Sequence, residues 1–125
     1  MAMAHILVLA LSLVSASHMG KAEEVVAPPF FVCRPVFEYF PYCMEFLVGD
    51  PNFSMPSRRC CQHVVELNRL ALHGIGPRTI CWCIEVMVKG MTPPLVPSKI
   101  QDLPLMCNIT LSFPISDSMD CSKVS

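Results

Sequence analysis

Eight cysteines stand at positions 33, 43, 60, 61, 81, 83, 107 and 121, and no other feature limits the fold so tightly. The count is even, and all eight lie downstream of an apolar N-terminal run. Residues 6–14 read ILVLALSLV, and small residues follow at Ser15, Ala16, Ser17, Gly20 and Ala22. That run is too short to span a bilayer and reads as the core of a secretory signal peptide over residues 1–22, despite a weak n-region that offers only His5. The domain is then expected over residues 23–125, in an oxidising compartment outside the cytosol. With four residues after Cys121, a lipid-anchor tail is not expected.

An even set of cysteines in a secreted domain of this size implies four disulfides, with the connectivity open. Zinc is the competing use, since His63 and His73 fall between the Cys60-Cys61 pair and Cys81-Trp82-Cys83. The spacing excludes it, because neither paired Cys-x2-Cys knuckles nor a His-x3-5-His pair occurs.

The apolar residues recur at helical spacing in four short patches. The first covers residues 34–47, with Val36, Phe37, Phe40, Cys43, Met44 and Leu47 on one side and, because of Pro41, a kink or break expected near Phe40. The second runs from an N-cap at Ser57 to Gly74, with Cys60, Val64, Leu67 and Ala71 as its stripe and Glu66, Asn68 and Arg69 on the wet side. The third lies between Gly76-Pro77 and Gly90, turning Ile80, Cys81, Ile84, Met87 and Val88 inwards. The fourth opens with Ser98 and Gln101 as a capping box and is expected to stop at Pro104. Residues 107–125 show no helical period and read as an irregular tail pinned by two cysteines.

Charge excludes some functions. Of the 125 residues, 9 are Lys or Arg and 10 are Asp or Glu, with no basic run, so nucleic acid is not an expected partner. From Glu23 onwards the charge is -2, which gives no attraction to anionic bilayers and argues against membrane disruption. No Gly-x-Ser-x-Gly elbow or Ser/His/Asp grouping is visible, so the chain is read as a non-enzyme with no metal and no cofactor.

Written out, the cysteine pattern is C-x9-C-x16-CC-x19-CxC-x23-C-x13-C. This order resembles the eight-cysteine motif of plant non-specific lipid-transfer proteins, a superfamily shared with 2S albumins and α-amylase/trypsin inhibitors. The likeness spans Cys33 to Cys121 and includes Phe46-Leu47-x-Gly49, Val64, Leu67-Asn68, Leu103-Pro104 and Phe113-Pro114-Ile115-Ser116, companions of the type I subgroup. It implies an all-α fold, four short helices stapled by four disulfides around an apolar tunnel, with an irregular C-terminal tail. Cys43–Cys60 and Cys61–Cys107 are implied under either subgroup. The other two bonds are Cys33–Cys83 with Cys81–Cys121 by type I, or Cys33–Cys81 with Cys83–Cys121 by type II. Spacing favours the first and the apolar Trp82 the second; both stay open, with type I the nearer match.

The resemblance also implies a function. Fatty acids, lysolipids or phospholipids would be held in the tunnel by a secreted, monomeric protein of the cell wall or apoplast that touches membranes transiently. A fatty chain gains about 0.8 kcal/mol per buried CH2, enough for affinity without polar recognition. Phe113 falls where the family places a mouth aromatic, usually Tyr, and Arg78 lies one position from the family's headgroup Arg, whose companion Asp is missing. Met44, Val64, Leu67, Ile84, Met87 and Ile115 are the expected tunnel wall. The alternative on the same scaffold is a protease or α-amylase inhibitor presenting residues 90–97; storage is disfavoured by the presence of only Gln62 and Gln101. Sequons occur at Asn52 and Asn108, the second expected to be screened by its neighbouring disulfide.

Overall fold

Pro41 sets the shape of the first helical layer. A computed structural model describes residues 30–125, and the expected signal peptide lies outside the described residues. After a 3-10 turn at Phe30–Cys33, helix α1 (Arg34–Tyr39) gives way to a second 3-10 turn at Phe40–Cys43, then to α2 (Met44–Leu47). A proline ring inside an α-helix clashes with the carbonyl four residues back; tightening to three residues per turn relieves it. The tighter winding also puts Phe40 and Cys43 on one side, and both are fully buried.

Gly49 ends this layer at φ +78°, with its N–H donating to the Phe46 carbonyl, and a Cβ there would meet Val96 Cγ2 at 3.2 Å. The close approach lets the Val96 N–H reach the Leu47 carbonyl at 2.8 Å, tying the later loop to α2.

Helix α3 (Arg58–His73) is the central element, packed on α1, the Pro41 turn and the next helix, α4 (Pro77–Val88). Ser57 caps α3 as expected, its Oγ accepting from the Cys60 N–H at 3.0 Å. The stripe Cys60, Val64, Leu67 and Ala71 is buried along its length. Gly76, at φ +89°, precedes Pro77 at the head of α4, which turns Ile80, Cys81, Cys83, Ile84 and Val88 inwards.

Helix α5 (Pro97–Met106) departs from expectation at both ends. Ser98 and Gln101 form no capping box: Val96 is the N-cap, without a side-chain bond, because Pro97 is already set for the first helical position. Pro104 lies inside the helix instead of ending it. Buried Leu103 and the bridge at Cys107 hold the last turn, which outweighs one missing backbone bond. Beyond Cys107 the tail is irregular until a short 3-10 turn at Cys121–Lys123.

All eight cysteines are bridged, as Cys33–Cys83, Cys43–Cys60, Cys61–Cys107 and Cys81–Cys121. Spacing therefore predicted the partners of Cys81 and Cys83 better than Trp82 did. The fold is all-helical, four helical layers without a strand among the described residues.

Candidate functional site

The residues expected to meet a lipid come from separated parts of the chain. Met44 begins α2, Val64 and Leu67 lie on α3, Ile84 and Met87 on α4, and Phe113 and Ile115 in the tail. The fold gathers all seven in one apolar cluster: Val64, Leu67, Ile84, Phe113 and Ile115 are buried, and Met44 and Met87 pack half-buried against it. Phe40, Phe46, Leu47, Ile80, Val88 and Leu103 belong to the same interior. No charged or polar residue is buried among the described residues, so a guest would meet hydrocarbon, aromatic rings and sulfur. Methionines on the border add a flexible, polarizable surface.

Phe113 lies deep, only 4 % exposed, inside the apolar cluster. It is positioned by Asn68, which the sequence placed on the wet side of α3. The Asn68 Oδ1 accepts from the backbone N–H and the hydroxyl of Ser112, each at 2.7 Å. Its Nδ2 donates to the Thr110 carbonyl at 3.1 Å. One amide thus clamps the stretch of tail next to Phe113. The signal was present in outline, since Asn is a poor choice for a helix interior unless its side chain has a task.

Arg78 is exposed on the first turn of α4, and its Nε donates to the Val124 carbonyl at 2.9 Å. It therefore fastens the end of the tail. With Thr79, Trp82, Cys121 and Ser122 it lines a small, mainly apolar cleft of about 190 Å³. Trp82 is half-buried along this cleft, while Cys81 and Cys83 on either side of it are both buried, bridged to Cys121 and Cys33. Next to it, the Ser122 hydroxyl (2.6 Å) and then the Ser122 N–H (3.0 Å) bond to Asp120 Oδ1 and hold that carboxyl below the ordinary range.

The segment an inhibitor would present is partly tied down: Leu95 is buried and Val96 is bonded to Leu47. Asn52 is exposed in the loop before α3. Asn108 is exposed too, correcting the expected screening, and it takes the left-handed conformation at φ 55°.

Comparison with known proteins agrees with this architecture. Residues 33–121 match the model of the "Protease inhibitor/seed storage/LTP family". "Non-specific lipid-transfer protein 13" of Arabidopsis thaliana is 50% identical over 93 residues, covering 74% of this chain and 72% of that one. "Non-specific lipid-transfer protein 3" of Oryza sativa subsp. japonica is 32% identical over 93 residues, covering 74% of each chain. Among solved structures, non-specific lipid transfer protein 1 from barley, in complex with a lysophosphatidylcholine, superposes with a TM-score of 0.61 at 27% identity, covering 74% of this chain and 98% of that one. With its four bridges, its helical order and these relatives, the chain belongs to the protease inhibitor/seed storage/LTP family, and within it to the plant non-specific lipid-transfer proteins.

Proposed function

We propose that the apolar cluster opens around the acyl chain of a fatty acid, lysolipid or phospholipid, and that the protein carries such lipids through the extracellular space. The observation that carries this reading is the convergence of Met44, Val64, Leu67, Ile84, Met87, Phe113 and Ile115 in one interior where, among the described residues, no polar or charged residue is buried. Four cross-links allow such an interior to part, because they hold the helices in register without full interdigitation. Each bridge typically contributes about 2–4 kcal/mol by restricting the unfolded chain, which offsets the looser packing around an opened core. The barley relative with a bound lysophosphatidylcholine supports the same class of guest. The apolar run at residues 6–14 and the bridged cysteines support delivery through the secretory route to the apoplast.

Displacement of a fluorescent fatty acid from the oxidised protein, followed by mass spectrometry of copurifying lipids, tests the reading. Micromolar or tighter binding is expected. Phe113→Ala should weaken it about tenfold, equivalent to about 1.4 kcal/mol. Unchanged affinity removes Phe113 from the wall, and failure of the wild type to bind any acyl probe overturns the carrier role.

A further inference from the structure

A second recess lies outside the core, where α3 begins. Pro41, Tyr42 and Glu45 form one side, and Ser57, Arg58 and Arg59 the other, around a cleft of about 510 Å³. Its size falls within the range of about 300–1,000 Å³ typical of small-molecule sites. The Arg59 guanidinium carbon sits 5.5 Å from the Tyr42 ring centroid. Tyr42 leans on His63 at 4.6 Å, and His63 stacks on Tyr39 at 4.9 Å with the rings 5° from parallel. This ladder holds one wall in place.

The charges in the cleft are opposite yet unpaired. The ion pairs among the described residues are Arg34–Glu38 and Arg69–Glu66, so neither cleft arginine is joined to Glu45 or to any other carboxylate among the described residues. Nor do the arginines serve their helix: two cations in a first turn oppose the positive end of the dipole. A guanidinium fork suits phosphate oxygens. A free anion, however, would also face Glu45. A group carrying phosphate and ammonium together satisfies both signs at once.

We propose that this cleft is a docking site for the zwitterionic headgroup of a membrane phospholipid, with Arg58 and Arg59 on the phosphate and Glu45 on the ammonium group. Tyr42 (43 % exposed) on the rim and Met55 (65 %), two residues before Ser57, supply apolar surface to touch the bilayer boundary. The net negative charge after residue 22 leaves recognition of a bilayer to such local chemistry. The proposal rests on the carrier reading for its purpose, since a carrier must meet membranes to load and unload.

Cosedimentation of the oxidised protein with phosphatidylcholine vesicles tests it. Arg58→Gln and Glu45→Gln, both at exposed positions, should each lower partitioning about three- to tenfold, as loss of a charge-assisted contact does. On phosphatidylglycerol vesicles Arg58→Gln should again weaken binding, whereas Glu45→Gln should strengthen it. Partitioning onto phosphatidylcholine that ignores either variant, or rises with Glu45→Gln, overturns the zwitterion assignment. Free phosphocholine should compete with the vesicles and shift the Arg58 and Glu45 amide resonances; equal competition by inorganic phosphate would assign the cleft to free phosphate instead. Fatty-acid displacement run in parallel separates the two readings: normal displacement with indifferent docking defeats the cleft alone. Lost displacement with Arg58-dependent docking defeats the carrier alone.

Discussion

Helix α3 and the tail that follows Cys107 are held by different means. The helix carries its own instructions: a serine cap at one end, a glycine at the other, and a stripe of Cys60, Val64, Leu67 and Ala71 between. The tail has almost no internal backbone bonding and is fixed by attachment, to α3 through Cys61–Cys107 and Asn68, and to α4 through Cys81–Cys121 and Arg78. Yet the tail supplies Phe113 and Ile115 to the interior. The segment with the least structure of its own therefore helps to shape the apolar interior.

The contrast can be broken experimentally. The largest effect is expected from replacing Cys81 and Cys121 together by Ser. Opening a bridge that spans 40 residues should cost about 4 kcal/mol in denaturant unfolding. Hydrogen exchange should then show the tail deprotected while α3 stays protected; equal loss in both would erase the distinction. Asn68→Ala comes next, at about 2 kcal/mol, because it leaves Ser112 and Thr110 without partners. It should also weaken fatty-acid binding through displacement of Phe113, which a purely stabilising role would not do. Ser57→Ala should cost about 1 kcal/mol and fray only the first turn of α3.

The smallest effect concerns Asp120. Its carboxyl is held low by Ser122 in the folded state, so its contribution is present above the unfolded value of about 3.9 and fades as pH falls through the lower folded value. The Ser122 amide resonance should titrate with a midpoint below that of a free aspartate, and a midpoint at the ordinary value would remove the anchor.

How much of this could be read from the sequence follows the same divide. The bounds of α3 and α4 were legible because Ser57, Gly76-Pro77 and the apolar stripes act within a few residues of one another. The break at Pro41 was legible for the same reason. The partners of Asn68 were not, since they lie 42 and 44 residues away and two of the three are backbone groups that any residue carries. Pro104 misled because a local rule was outweighed by Leu103 burial and the Cys107 bridge. Trp82 misled because a large ring beside two cysteines can lie along a surface cleft as well as turn inwards. That Val64, Leu67 and Ile84 turn inwards could be anticipated from helical stripes and the place of Phe113 and Ile115 only from the family resemblance, whereas the outer cleft depends on how two helix ends approach.

Cys60 and Cys61 are neighbours on α3 yet leave in different directions, one to Cys43 before the loop and the other to Cys107 at the far side. Adjacent positions on an α-helix point about 100° apart, so the two sulfurs work as perpendicular guy-ropes on a mast. A helix moored in that way cannot roll to fill a gap when a bulky neighbour is trimmed or a guest departs. Under the proposed carrier function, emptying and refilling would then repeat without the scaffold settling into a shape that no longer admits cargo.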